Sequence, residues 1–437
     1  MTQAIEGRAP ASTRAEMAAT LAGKAAEWLT LVLLLTLAPR VLGPADYGSF
    51  GLALSLVALG SAAAALGGPA MIARLVAEAP QAERPGLARA LAERAARWRG
   101  AWAVLIVACA SVLVVVDPAR FRLEVVALVV LAVALDIAAT LAFHVALALG
   151  RTLMWSVRYA LQNAALVVGA VALYETFGLD GALAAIPLSI ALALAVGVAG
   201  IGDTIRHAPA NAAVPEVATR FAVLQGVSGF LYQFTHRGGV VAVALLAGSP
   251  DETGYTALAV GVAIALMYVP WQFFTVSLPR LSALGARDAA RGDAELRRLA
   301  WASLGVVGPV SIIAAAFAEP ILSTLVDPAF DAAKPALAPA LAVAPLAVLT
   351  GWAGASATMH IRPGERVWIA GTGAIVFLVA LALVPAFGSV GALTALLVAT
   401  AVSAVTSLLR LPSLREPGLA LACFACSVAT LLVGSIL

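Results

Sequence analysis

Apolar residues run in thirteen blocks along this 437-residue chain, at 18 to 39, 49 to 72, 101 to 116, 123 to 149, 156 to 174, 181 to 201, 221 to 247, 255 to 278, 301 to 320, 335 to 359, 367 to 386, 389 to 409 and 417 to 437. As a helix, each is about long enough to cross a ~30 Å hydrocarbon layer. None alternates with the period of two that a strand requires, and hydrocarbon cannot satisfy bare backbone groups. The pattern predicts an all-α integral membrane protein.

The first twelve blocks fall into two sets of six that resemble each other. Ala73-Arg74-Leu75 closes the second span and Pro279-Arg280-Leu281 closes the eighth, 206 residues later; Gly48 and Gly254, which open those spans, keep the same offset. Asp117-Pro118-Ala119 matches Asp327-Pro328-Ala329, and Phe177-Gly178 with Gly181-Ala182-Leu183 matches Phe387-Gly388 with Gly391-Ala392-Leu393, both at an offset of 210. Four matches in chain order argue for duplication. Six spans return the chain to its starting side, so the copies are expected to be parallel, related by a pseudo-twofold along the membrane normal, with a substrate cavity between them. The expected organisation is a polar N-terminal segment (1–17), a six-helix lobe (18–210), a second six-helix lobe (211–410) and an additional transmembrane helix (411–437).

Composition agrees, with 62% apolar and 12% charged residues and a mean hydropathy of +0.98. The first 17 residues are polar and the first apolar run lacks a small-residue cleavage site, so no cleaved signal is expected. With the N-terminus in the cytoplasm, the inner segments hold 21 Lys and Arg and the outer ones four, a strong positive-inside bias. The thirteenth span then puts the C-terminus outside. The net charge of +3 reflects this topology, and the dispersal of basic residues over short loops gives no support for nucleic-acid binding. The longest inner connections, 73 to 100 and 279 to 300, read as amphipathic helices along the inner surface. No Walker-type phosphate loop occurs. Cys109 stands alone, and Cys423 and Cys426 read as small packing residues, so neither a metal nor another cofactor is expected.

Leu42-Gly43-Pro44-Ala45-Asp46-Tyr47-Gly48, Gly67-Gly68 with Arg74, Gly254-Tyr255 and Pro279-Arg280-Leu281-Ser282 resemble the polysaccharide transporter family. These are the O-antigen-type lipid-linked oligosaccharide flippases of the multidrug/oligosaccharidyl-lipid/polysaccharide exporter superfamily. The likeness covers about residues 18 to 410. It implies two six-helix lobes that alternate between inward and outward V shapes in the cytoplasmic (inner) membrane, exporting a polyprenyl-diphosphate-linked glycan for cell-surface polysaccharide biosynthesis. Membrane lipids and a polysaccharide polymerase or glycosyltransferases are the partners it implies. Many relatives carry an Asp-Arg pair in the seventh span, where this chain has His236-Arg237.

A flippase of that kind answers a physical need. An idealised desolvation cost on the order of 20 kcal/mol per charge keeps a diphosphate out of lipid. Polar residues inside spans are therefore the candidate site, because each is costly unless it has a role. Gln225, Gly229, Tyr232 and His236 fall within about 60° of one another on a helix, flanked by Gln233 and Arg237, a face expected to point at the cavity. Arg237 can hold phosphate oxygens through its planar fork, and Tyr232 and the glutamines can bind sugar hydroxyls. Lys24 and Glu27, with Thr20, share one face of the first span and read as an intrahelical ion pair, or as a recruiting lysine beside a coupling carboxylate. Asp136, Thr140 and His144 line a strip of the fourth span that either couples to a proton or ties neighbouring helices. Arg74 and Arg280 read as headgroup grips or membrane anchors, and the same choice applies to Arg158 and Gln162. Tyr268, Gln272 and Thr275 form a partly polar strip near Pro270.

Two other classes compete with the flippase. A multidrug-type cation-coupled antiporter calls for carboxylates, and the spans hold only Glu27 and Asp136. A membrane glycan polymerase or ligase calls for a sizeable outer loop with catalytic side chains, which the sequence lacks, so the chain is not expected to be an enzyme.

Overall fold

The computed structural model describes residues 10–116, 121–209, 213–247, 249–360, 362–411, 414 and 416–436. Among these the backbone is helical almost throughout, with no strand. Thirteen α-helices follow in order: α1 (Pro10–Ala65), α2 (Gly68–Glu78), α3 (Arg84–Val116), α4 (Leu123–Ala148), α5 (Thr152–Arg206), α6 (Val217–Leu246), α7 (Pro250–Arg287), α8 (Ala289–Ala316), α9 (Ala318–Ile321), α10 (Lys334–Met359), α11 (Pro363–Ala380), α12 (Val384–Arg410) and α13 (Pro417–Ile436).

Eight described stretches are long and apolar enough to span a membrane. Three of them, Ala22–Ala65, Thr152–Arg206 and Pro363–Arg410, each contain two predicted spans. α3 and α6 correspond to the remaining two, and Gln225, Gln233, His236 and Arg237 lower the hydropathy of α6. The merged stretches bend at glycines with φ of 71° (Gly43), 61° (Gly178) and 50° (Gly388), a region that only glycine occupies without strain.

The proposed repeat is visible in backbone geometry. Gly178 and Gly388 occupy matching positions and have nearly the same torsions, with ψ of −147° and −126°. Three residues on, Gly181 lies against the Leu173 carbonyl and Gly391 against the Leu383 carbonyl, so tightly that a side chain at either would overlap it. Asp46 and Glu252, 206 residues apart, do related work: Asp46 accepts a hydrogen bond from the Tyr174 hydroxyl (2.8 Å), one turn before Gly178, and Glu252 accepts one from the Ser389 N–H (2.8 Å), just after Gly388. The counterpart segment 117–119 lies outside the described residues. Asp327 caps a short helical turn by accepting from the Ala329 N–H.

Side-chain ties sort the connections onto two faces. At the near face, where α1 begins, Arg94 reaches Thr219, Arg151 reaches Thr204, Asp293 pairs with His360 and Glu365 with Arg410. At the far face Arg122 pairs with Asp180 and Lys334 with Glu319. The N- and C-terminal halves touch at both faces, where Gly48 packs on Gly254 and Gly67 packs on Ala222 and Gly226. α1 also runs along α7, with Leu35 against Gly261 and the Trp28 Nε1–H donating to the Ala265 carbonyl. In the C-terminal half α10 is central, enclosed by α7, α8, α12 and α13.

Of the segments expected to form amphipathic surface helices, the start of the first lies in α2, a short separate helix of amphipathic pattern set off from α1 at Leu66–Gly67, and the rest is continuous with longer helices. α2 ends at Glu78, α3 starts at Arg84 and continues unbroken into its apolar stretch, and α7 gives way to α8 at Asp288 alone. A continuous helix satisfies its own backbone, whereas a separate surface helix adds orphan groups at two more ends. At the break between α7 and α8, the Asp288 carboxylate accepts from the Arg291 N–H (3.0 Å).

Candidate functional site

Two clefts stand out among the described residues. The larger, about 710 Å³, lies between the second limb of α1, α3, α4, α5 and the facing side of α6. Its walls are Leu, Val, Ala and Phe, including Phe230 and Phe234, and its charged members are Arg122 and Asp180, paired at 3.2 Å toward the far face. The smaller, about 380 Å³, is an open cleft between α6, α7, α10, α11 and α12 within the C-terminal half, and its lining mixes hydroxyl, amide and guanidinium groups with Trp271, Phe274 and Ile369.

The predicted polar face of α6 divides between these environments. Tyr232 and His236 point into the smaller cavity, where their rings lie 4.0 Å apart and Tyr232 meets Trp271 at 5.0 Å. This face therefore looks into the C-terminal half and not across to the N-terminal one. Gln225 is buried on the same side and Gln233 is half-buried. Arg237, one residue past His236, turns the opposite way and faces Tyr47 of α1. Its Nε is buried without a hydrogen-bond partner, and no described carboxylate pairs with it.

The N-terminal half holds a second polar cluster. Lys24 and Glu27 form a buried ion pair at 2.7 Å. The Lys24 ammonium sits 4.1 Å from the centre of the Trp155 ring, a cation–π contact, and Glu27 neighbours Tyr268 of α7. Asp136 is held at 2.7 Å by Arg158, only 1% exposed, whose guanidinium lies 4.4 Å from the centre of the Tyr159 ring. His144 directs Nδ1 at the Thr140 carbonyl (2.8 Å), a contact within its own helix. Gln162 has a buried side-chain oxygen without a partner. Arg74 lies over the Phe221 ring, bridging α2 and α6. The side chains of Arg280 and Thr20 lie outside the described residues.

Buried Glu27 and half-buried Asp136 are thus each held at ion-pair distance, whereas Arg237 has no described carboxylate partner. One group escaped the reading of the sequence altogether. Arg366, counted there with the near-face loops, points into the smaller cavity together with Gln272, Thr275, Thr350, Thr358, Thr400 and Ser403. The recurrence of hydroxyl side chains at inward positions of α10 and α12 is the signal that marks this wall.

No family model and no curated protein matches this sequence. Solved structures do match its fold. The lipid II flippase MurJ in an inward closed conformation superimposes with a TM-score of 0.62 at 10% identity, covering 96% of this chain and 97% of that one. A Vibrio cholerae MATE transporter, VcmN, gives 0.60 at 13% identity, with 94% and 100% covered. A MOP-superfamily transporter from Pyrococcus furiosus gives 0.53 at 13%, with 92% and 97% covered. Near-complete coverage in both directions, together with the row of membrane-length helices, makes this chain a multi-pass membrane protein with the fold of the multidrug/oligosaccharidyl-lipid/polysaccharide transporters.

Proposed function

We propose that the protein is a flippase that moves a polyprenyl-diphosphate-linked oligosaccharide from the inner to the outer leaflet of the cytoplasmic membrane. The observation that carries this reading is the charge balance of the interior. Glu27 and Asp136 are each bound by a basic side chain at 2.7 Å, while Arg237 is half-buried, with its Nε buried and unpartnered and no described carboxylate beside it. An uncompensated guanidinium at membrane depth is costly, and an anionic ligand offsets that cost. A cation-coupled multidrug antiporter needs the reverse, a carboxylate free to take a proton or metal ion.

In this reading the near face is cytoplasmic, the C-terminus lies outside, and the two six-helix halves are lobes that separate alternately at each face around the glycine contacts. The glycan headgroup passes between them while the polyprenyl tail stays in lipid. With the inside negative, export of an anionic headgroup gains ~2.3 kcal/mol per charge per 100 mV, so a coupling ion is optional. Glycosyltransferases supply the substrate and a polymerase consumes it; this chain performs no covalent chemistry.

The test is reconstitution into liposomes with a fluorescently labelled polyprenyl-diphosphate oligosaccharide. The expected result is leaflet exchange that accelerates with an imposed inside-negative potential and falls at least tenfold in Arg237→Gln. Proton- or sodium-driven efflux of a cationic dye, with no lipid movement, overturns the reading in favour of the antiporter.

A further inference from the structure

We infer that the smaller cavity, inside the C-terminal half, is a binding site for a phosphate-class oxyanion, with Arg366 as its charged anchor. This site is separate from the Arg237 position between the halves, and the inference stands whichever substrate the protein carries.

The argument begins with which groups in the cavity remain unused. Ser228, Thr235, Thr350, Thr358, Thr400 and Ser403 all line it, but each hydroxyl already donates to a backbone carbonyl: those of Gln225, Leu231, Ala347, Gly354, Leu396 and Ile369, respectively. His236 spends Nδ1 on the Tyr232 carbonyl, leaving Nε2. The Tyr232 hydroxyl is buried with no partner among the described residues, as is the Gln272 side-chain oxygen, and the Gln272 side chain also lines the cavity. Among the described groups Arg366 makes one hydrogen bond, from Nη1 to the Thr358 hydroxyl at 3.3 Å, and faces Tyr232. What remains is the guanidinium with two donors beside it, the Tyr232 hydroxyl and the Gln272 amide, while His236 Nε2 and the Gln272 oxygen are acceptors that the ligand's own hydroxyl or a water can satisfy.

The counter-charge is missing. Adjacent Glu365 is engaged by Arg410 at 2.9 Å and Asp293 by His360 at 3.0 Å, both outside the cavity, and no acidic residue lines the wall. A fixed cation repels a metal ion or organic cation from the same space. A planar fork with spare N–H groups suits a tetrahedral oxyanion held bidentately. The first turn of the 18-residue helix α11, which carries Arg366, adds its positive dipole end. The volume, about 380 Å³ or roughly twelve water volumes, admits a phosphate with part of its hydration shell. Arg366 and Thr358 lie within two turns of the near face, so the ligand enters from there, either as a free anion or as the headgroup of a near-face lipid.

The experiment uses the full-length protein in a phosphate-free glycolipid nanodisc. Thermal unfolding is followed against inorganic phosphate, with sodium chloride matched for ionic strength and a short-chain phosphatidate as a third arm. Expected is a saturable rise in midpoint with phosphate that matched chloride does not reproduce. Apparent affinity should fall roughly tenfold or more in Arg366→Gln and less in the shape-conserving Tyr232→Phe, and the loss in Arg366→Gln should be of the same size when measured in an Arg237→Gln background. Saturation by phosphatidate at concentrations where phosphate is silent identifies a lipid headgroup as the source of the same oxyanion; saturation by both identifies the free anion. The proposal is overturned if neither phosphate nor phosphatidate gives a saturable response, or if Arg366→Gln and Tyr232→Phe both respond as the unaltered protein does. An Arg366-dependent response that persists in Arg237→Gln separates the two sites.

Discussion

Gly48 and Gly254 lie back to back at the far face, each against the carbonyl of the proline four residues before the other. A side-chain carbon on Gly48 would stand 2.5 Å from the Pro250 oxygen, and one on Gly254 would stand closer still to that of Pro44. All four residues obey a single offset of 206, as does the neighbouring contact of Gly51 with Ala257. Positions that meet their own repeat counterparts in this reciprocal way are those beside a twofold axis.

The contact predicts that Gly48→Ala and Gly254→Ala each destabilise by about 1–3 kcal/mol through overpacking against rigid backbone. The pair combined is expected to cost less than the sum, because the first substitution already parts the two segments. Thermal unfolding of the purified variants measures both. If the contact closes the far face, a cysteine at Ser49 reacts faster with a membrane-impermeant maleimide in either variant.

Asp136 and Arg158 make a second prediction. Asp136→Asn leaves a fully buried guanidinium without its counter-ion and is expected to cost about 3–5 kcal/mol, whereas Asp136→Asn combined with Arg158→Met recovers much of that loss. A denaturation series over the three proteins decides it. A proton-coupling role for Asp136 instead shows as transport lost in the double variant despite restored stability.

Glu252 crosses from α7 to the bend of α12, where its carboxylate accepts from Ser389 and also fills the space beside Gly388. Removing this cap in Glu252→Ala should cost about 1 kcal/mol. Gly388→Ala should cost more, since φ is 50° and the new carbon would lie 2.6 Å from the Glu252 oxygen. In a double-mutant cycle the two are expected to couple, Gly388→Ala being milder without Glu252.

Arg237 distinguishes charge from shape. Arg237→Lys keeps the cation but loses the planar fork, so headgroup transport is expected to fall by roughly tenfold, about one bidentate hydrogen bond, and further in Arg237→Gln. Because the guanidinium has no carboxylate partner to strand, neither variant should lower the unfolding midpoint, which a thermal scan verifies.

Along the chain, the spacing and length of the apolar blocks determined that membrane-length helices fill the chain and roughly where each lies, because hydrocarbon leaves the backbone a single way to satisfy itself, while the ends of α3, α7 and α8 and the break at Leu66–Gly67 were not marked by it. Glycine periodicity marked the repeat for a related reason: only glycine accepts the torsions of Gly178 and Gly388 or the close approach at Gly48 and Gly254. Tertiary structure alone decided where polar side chains point. Helical periodicity placed Tyr232 and His236 on one face, but which neighbour that face meets depends on how α6 rotates between the halves, and packing of Phe234 on Phe377 and of Gly239 on Ala392 sets that rotation. Whether a buried charge is paired is likewise a three-dimensional fact. Lys24 and Glu27 were legible as a pair because they share a helix; Arg158 and Asp136, on different helices, were not, nor was the lack of a described carboxylate beside Arg237 and Arg366, since sequence spacing holds no information about distances between helices.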